Sequence, residues 1–128
     1  MIVRTLSAII DSDQHIVGEG WESRRILLSP DGLGYSFHDT ILEEGCELDL
    51  QFKNHIETNY CIAGKGEVVD STSGEVHPIE PGTIYVLDKH DPHVLRATEG
   101  TLRLVCIFTP ALSGKEIHDE NGGYALLE

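Results

Sequence analysis

The chain has 128 residues and a mass of 14.1 kDa, enough for one domain with a substantial core and no need of disulfide or zinc staples. Nine Lys and Arg stand against 22 Asp and Glu, a formal net charge of −13, which repels phosphate backbones and anionic membranes and so excludes nucleic acid and membrane surfaces as expected partners. Three cysteines without CxxC spacing, and an N-terminus that reaches aspartates before any signal-like apolar region, point to the reducing cytoplasm.

In chain order, the first 30 residues offer one strand, Ser23 to Ser29, behind a glycine-flanked Trp21. From Tyr35 to Phe108 short β-prone runs recur between glycine, proline and aspartate, the rhythm of an all-β sandwich or barrel. Glu47 to Lys53 alternates, with Leu48, Leu50 and Phe52 on one face, and reads as a half-buried strand. Glu57 to Asp70 reads as two strands joined by a hairpin across Gly64-Lys65-Gly66, because glycine tolerates the positive φ of tight turns. Turns are expected at Ser71 to Gly74 and at Glu80-Pro81-Gly82, which places Tyr85 on a short strand with Thr83 and Leu87 on its face. Thr101 to Phe108 alternates with Leu102, Leu104, Cys106 and Phe108 on one face. The expected organisation is a single domain over residues 1–128, with a barrel core at about 35–110 and a polar, glycine-containing lid at about 111–128.

Glu57 and Gly64, with six residues between them, fit the skeleton of a double-glycine barrel motif, and Gly82 and His93 fit its second half. The histidine pair of the first half is absent: Gln51 and Lys53, or Leu50 and Phe52, stand there. In the second half Asp88, His90 and Ala97 replace the usual residues. Together and in order these motifs resemble the cupin superfamily, which implies a double-stranded β-helix, or jelly-roll, barrel. Glu57 and His93 then supply an oxygen and an imidazole nitrogen, and Tyr85 is the candidate third ligand, since a phenolate is a hard donor suited to iron. Taken singly, a buried tyrosine more often packs with a satisfied hydroxyl and a lone carboxylate more often faces solvent.

The blocks GWESRR (Gly20 to Arg25), FHDT (Phe37 to Thr40), KNHIE (Lys53 to Glu57), YCIAGKGEV (Tyr60 to Val68), PGTIYVLDKHDPH (Pro81 to His93) and RLVCIFTPALSGKEIHDENGGY (Arg103 to Tyr124) together resemble the ectoine synthase family. The resemblance implies ring closure of N-γ-acetyl-L-2,4-diaminobutyrate with loss of water, and an Fe(II) centre on Glu57, Tyr85 and His93. It also implies a substrate pocket on Trp21, Arg25, Thr40, Cys106 and Phe108, with Glu116 and His118 near the closing end. Phe52 takes a pocket position where the family is expected to carry tyrosine.

Read as chemistry, Arg25 offers a guanidinium fork for the substrate carboxylate, with Arg24 the alternative. Trp21 either covers the substrate's carbon chain or packs the terminal strand. His55, Glu116 and His118 are the candidate proton acceptors, and the sequence does not choose among them. His15, His38, His77 and His90 read as surface or hydrogen-bonding residues. Leu112 to Tyr124 reads as a lid hinged at Gly114, Gly122 and Gly123. An iron dioxygenase and a non-catalytic cupin are the competing readings; the first lacks its usual multi-histidine triad. A homodimer is expected from the resemblance and from the need to cover edge strands.

Overall fold

Alternating apolar and polar residues turn most of the chain into strand. The computed structural model describes residues 1–116 and Gly123. After a four-residue helix α1 (Leu6–Ile9) come β1 (His15–Gly18), β2 (Trp21–Leu27), β3 (Ser36–Leu42), β4 (Glu47–Leu50), β5 (Ile56–Asp70), β6 (Val76–Ile79), β7 (Ile84–Leu87) and β8 (His93–Thr109). Each pairing is antiparallel. The long strands β5 and β8 pair from Ile56↔Thr109 to Asp70↔His93 and belong to both walls of the barrel. One wall runs β1-β2-β3-β8-β5-β7; the other uses the far halves of β8 and β5 with β4 and β6.

The expected hairpin inside Glu57 to Asp70 does not form. That segment is one bent strand, with register shifts between Cys61 and Gly66. Its glycines serve close approach between β5 and β8: a Cβ on Gly64 would sit 2.2 Å from the Thr101 carbonyl oxygen, and one on Gly66 would sit 2.2 Å from that of Arg96. Bulges of this kind let a strand bend across a barrel corner. The two expected turns are present: Asp70 accepts from the Thr72 and Ser73 amides, and Gly82 has φ +97°. The strand expected over Glu47 to Lys53 stops at Leu50, yet Phe52 is still buried beyond its end. The sheet also begins before the expected core of about 35–110, because β1 and β2 extend it from His15.

Leu42, Leu50, Phe52, Cys61, Leu102, Leu104, Cys106 and Phe108 form the centre of the core, and the β8 alternation falls as expected. On the outer face, Asp39 accepts from Arg24 at 2.6 Å and from Arg103 at 2.6 Å, knitting β2, β3 and β8. Burial alone would push the Asp39 carboxyl up, but the two guanidinium groups hold it below its ordinary value. Asp39→Ala leaves Arg24 buried without its counter-charge and is expected to cost about 3 kcal/mol in urea denaturation. An unchanged midpoint would show the network to be ornamental.

Past β8 the chain folds back over one end of the barrel. The Leu112 amide donates to Ser36 Oγ, its carbonyl accepts from the Ser29 amide, and its side chain is fully buried. Gly114, with φ +102°, lies so close to Leu28 that a Cβ there would sit 2.6 Å from Leu28 Cδ1.

Candidate active site

Residues directly opposite in neighbouring antiparallel strands share a face. Tyr85 on β7 lies opposite Asn59 on β5, Asn59 opposite Cys106 on β8, Cys106 opposite His38 on β3, and His38 opposite Arg25 on β2. One transverse row of five polar side chains thus crosses the inner wall. The next row carries Leu87, Glu57, Phe108 and Ser36. Five strands distant in sequence deliver these groups to one place through pairing register.

The inner cavity, about 40 Å³, is lined by Trp21, Thr40, Phe52, Glu57, Cys106 and Phe108, with Ser23, Asn59 and a sleeve of leucines. That is room for about one water, so a larger guest must displace side chains. Tyr85 and His93 line a larger groove, about 490 Å³, which runs beside β6 and β7. Its size reflects its position on the surface; the buried chemistry lies on the inner side of the wall. Trp21 is half-buried and rests on Gly18, where a Cβ would overlap the indole at 2.1 Å.

Burial pushes the Glu57 carboxyl up to about 7, against the pull of the nearby Asn59 amide and Cys106 thiol. Burial, and then the Glu57 charge, raise the Tyr85 phenol well above its ordinary value. Burial lowers the His93 imidazole. His93 Nδ1 donates to the Asp91 carbonyl at 2.9 Å, which fixes the tautomer and turns the Nε2 lone pair inward. Tyr85 Oη and His93 Nε2 are buried without a hydrogen-bond partner among the described residues, a cost of about 1–3 kcal/mol each. A carboxylate, a phenol and an imidazole lone pair, two of them unsatisfied, make a donor set that fits a divalent metal with a taste for oxygen and nitrogen, such as Fe(II).

The remaining candidates collect around Phe108 and the folded-back tail. Phe52 meets Phe108 edge-on at 5.1 Å, and its ring lies 5.9 Å from that of His93. His55 meets Phe108 edge-on at 6.0 Å; burial lowers its imidazole, with Glu116 acting the other way. His90 Nδ1 is 2.8 Å from the Phe52 carbonyl and 3.2 Å from that of His55, clamping the loop between β4 and β5. Arg25 is fully buried, donating from Nη1 to the Gly114 carbonyl at 3.0 Å and from Nε to Ser23 Oγ. Arg24, its alternative, turns outward to Asp39. Glu116 is occupied by the Ser113 amide and hydroxyl and the Gly114 amide, which hold its carboxyl below the ordinary value despite burial. Cys106 Sγ donates to Thr40 Oγ1 at 3.5 Å. His118, and the expected lid beyond residue 116 other than Gly123, lie outside the described residues.

Among the inward polar residues not singled out for the site from the sequence are Asn59 and His38, with Ser23 and Ser36 beside them. Asn59 was legible there, since alternation puts it on the face of Glu57. His38, read as a surface or hydrogen-bonding residue, is buried and bonded to Ser36 Oγ at 2.9 Å. Burial, with the charges of Arg25 and His55, lowers its imidazole from 6.5 to about 3. The unfolded chain therefore gains a proton near pH 6.5 that the folded one refuses until about pH 3, and stability falls with pH between those limits. The expected loss from this group is about 2 kcal/mol between pH 7 and pH 5. His38→Gln should flatten that part of the profile in urea titrations; an unaltered slope would refute the assignment.

The antiparallel jelly-roll barrel has the fold of the cupins. The cupin domain of a transcriptional regulator from Enterobacter cloacae has the same fold, with a TM-score of 0.61 and 16% identity over 70% of this chain and 96% of that one. A family profile described as ectoine synthase matches residues 1–128. An L-ectoine synthase of Desulfatibacillum aliphaticivorans is 55% identical over 100% of this chain and 99% of its own length. The crystal structure of ectoine synthase from P. lautus superposes with a TM-score of 0.88 at 45% identity, covering 100% of this chain and 92% of that one. The chain belongs to the ectoine synthase family and is an enzyme of the hydro-lyase class.

Proposed function

We propose that this enzyme closes N-γ-acetyl-L-2,4-diaminobutyrate into ectoine. The α-amine bonds to the acetamide carbon of the same molecule, and the carbonyl oxygen leaves as water with two protons taken from the nitrogens. The observation that carries this reading is the largely apolar chamber: Glu57, Asn59 and Cys106 face a cavity otherwise walled largely by leucine and phenylalanine, surroundings that favour loss of water.

Glu57, Tyr85 and His93 would hold Fe(II), which when bound supplies Lewis-acid polarisation of the acetamide carbonyl. Arg25 places a buried positive charge on the same wall and answers the substrate carboxylate. Trp21, Phe52 and Phe108 cover the carbon chain and hold it folded for attack, a proximity gain that can reach several kcal/mol. Phe52 acts by shape alone, having no hydroxyl. His55 is the better proton acceptor of the two described candidates: burial lowers its imidazole and so favours the neutral form, whereas Glu116 already serves three donors. The docked turn 112–116 closes the chamber.

The outer face of β7, β5 and β8 carries Ile84, Tyr60 and Val105 in one row and Val86 and Ile107 in the next, with Ile84 61% exposed. Such an apolar face beside the short strand β7 supports a homodimer. Among the described residues no helix is long and apolar enough to cross a membrane; the cytoplasm is the proposed location, where the product serves as a compatible solute under osmotic stress.

Anaerobic incubation of metal-quantified protein with Fe(II) and the acetylated diamine, followed by proton NMR, tests the reading. Iron-dependent ectoine supports it; no ectoine from folded, iron-loaded protein overturns it.

A further inference from the structure

We propose that Asn59 is a further substrate-contacting residue, whose side-chain amide donates a hydrogen bond to the acetamide oxygen that leaves as water. This rests on the cyclisation reading and adds a residue to it.

Asn59 is 1% exposed, and its Nδ2 is buried without a hydrogen-bond partner among the described residues. The side chain lines the inner cavity beside Glu57 and Cys106. It stands opposite Tyr85 on one neighbouring strand and Cys106 on the other, on the wall that carries Glu57 and Tyr85. A buried primary amide with an idle donor is unfavourable, and a leucine of similar size would fill the same space without that cost. The leucines around it offer no side-chain acceptor, and Thr40 Oγ1 already accepts from Cys106 Sγ. The Glu57 carboxylate is near enough for the Asn59 amide to lower its pKa, yet Nδ2 makes no hydrogen bond to it, and Glu57 is assigned to the metal. A guest in the cavity supplies the acceptor.

The substrate's polar groups sort themselves against this donor. An N–H requires an acceptor, which rules out the amide N–H of the acetamido group. The carboxylate is matched by Arg25, three strands along the same row, about 14 Å away between strand axes at the usual spacing. The acetamide oxygen is the acceptor left. As the α-nitrogen bonds to the acetamide carbon, an electron pair moves onto this oxygen; the C–O bond then breaks and the oxygen departs as water with two protons from the nitrogens. A donor placed at that atom gains strength in the transition state and loses its partner in the product.

Ectoine lacks the oxygen, so substrate and product separate the proposed role from packing. Asn59→Leu should bind the acetylated diamine about tenfold more weakly by calorimetry, the worth of about one hydrogen bond, with kcat lower by a further factor of about 100. Ectoine affinity, iron content and circular dichroism should not change, and the urea midpoint should stay level or rise. Asn59→Ala gives the same comparison should leucine disturb the fold. Equal loss of substrate and ectoine affinity, lost iron, or undiminished turnover overturns the role of Asn59 while leaving the cyclisation intact. A wild-type enzyme that makes no ectoine overturns the cyclisation and, with it, this inference.

Discussion

Tyr85→Phe is expected to abolish iron retention and lower turnover by more than about 100-fold while leaving a barrel at least as stable as the parent. Loss of groups that merely support a metal's ligands typically costs 10–100-fold, and Tyr85 is proposed as a ligand itself. The fold should not suffer, because the phenol oxygen is buried without a partner and its removal relieves a desolvation cost. The two halves of this result pull in opposite directions, which makes it diagnostic: a purely structural tyrosine would lose stability and keep metal. Metal analysis, the urea midpoint and ectoine production are the three readings. A metal-free Tyr85→Phe protein with full activity would sink the iron proposal.

Cutting the chain after Pro110 is expected to keep the β-sheet and lose at least about 100-fold in turnover. The segment removed contributes the fully buried Leu112, the backbone bonds to Ser29 and Ser36 Oγ, and the Gly114 carbonyl that accepts from Arg25. Loss of the leucine alone should cost about 2–3 kcal/mol, so the truncated barrel must be assayed below its new melting transition. Arg25 would then lose its Gly114 partner at the moment the chamber opens to water. Circular dichroism typical of β structure with no ectoine formed fits closure by the tail; an unchanged rate in the shortened enzyme would reject it.

Much of the site was readable from residue order. Alternation along Thr101 to Phe108 put Cys106 and Phe108 on the core face, and the turn at Glu80 to Gly82 set the parity of Tyr85; both hold in β8 and β7. Glu57 and His93 were marked by motif spacing, Tyr85 by strand parity and donor chemistry, and Arg25 by its block. The misreadings share a cause. Gly64 and Gly66 looked like turn glycines because a sequence shows that a Cβ is missing, while the Thr101 and Arg96 carbonyls that occupy its place become visible only once β8 lies alongside. For His38 the hydrogen-bonding alternative held and the surface one did not, because nothing local reveals that β2 and β8 flank it.

Composition, alternation and turn chemistry are local properties, and the sequence by itself therefore determined the all-β class, the inward parity of the principal side chains and the family to which they belong. Register between distant strands is not local. Only the tertiary structure decided that Tyr85, Asn59, Cys106, His38 and Arg25 form one row, that Arg24 turns outward to Asp39 while Arg25 turns in to the tail, and that Glu116 spends its carboxylate on the turn it belongs to. Burial supplies the physical reason: an amide, a phenol or a guanidinium acquires its role from the partners and the water that packing grants or denies it, and packing is settled between strands rather than along them.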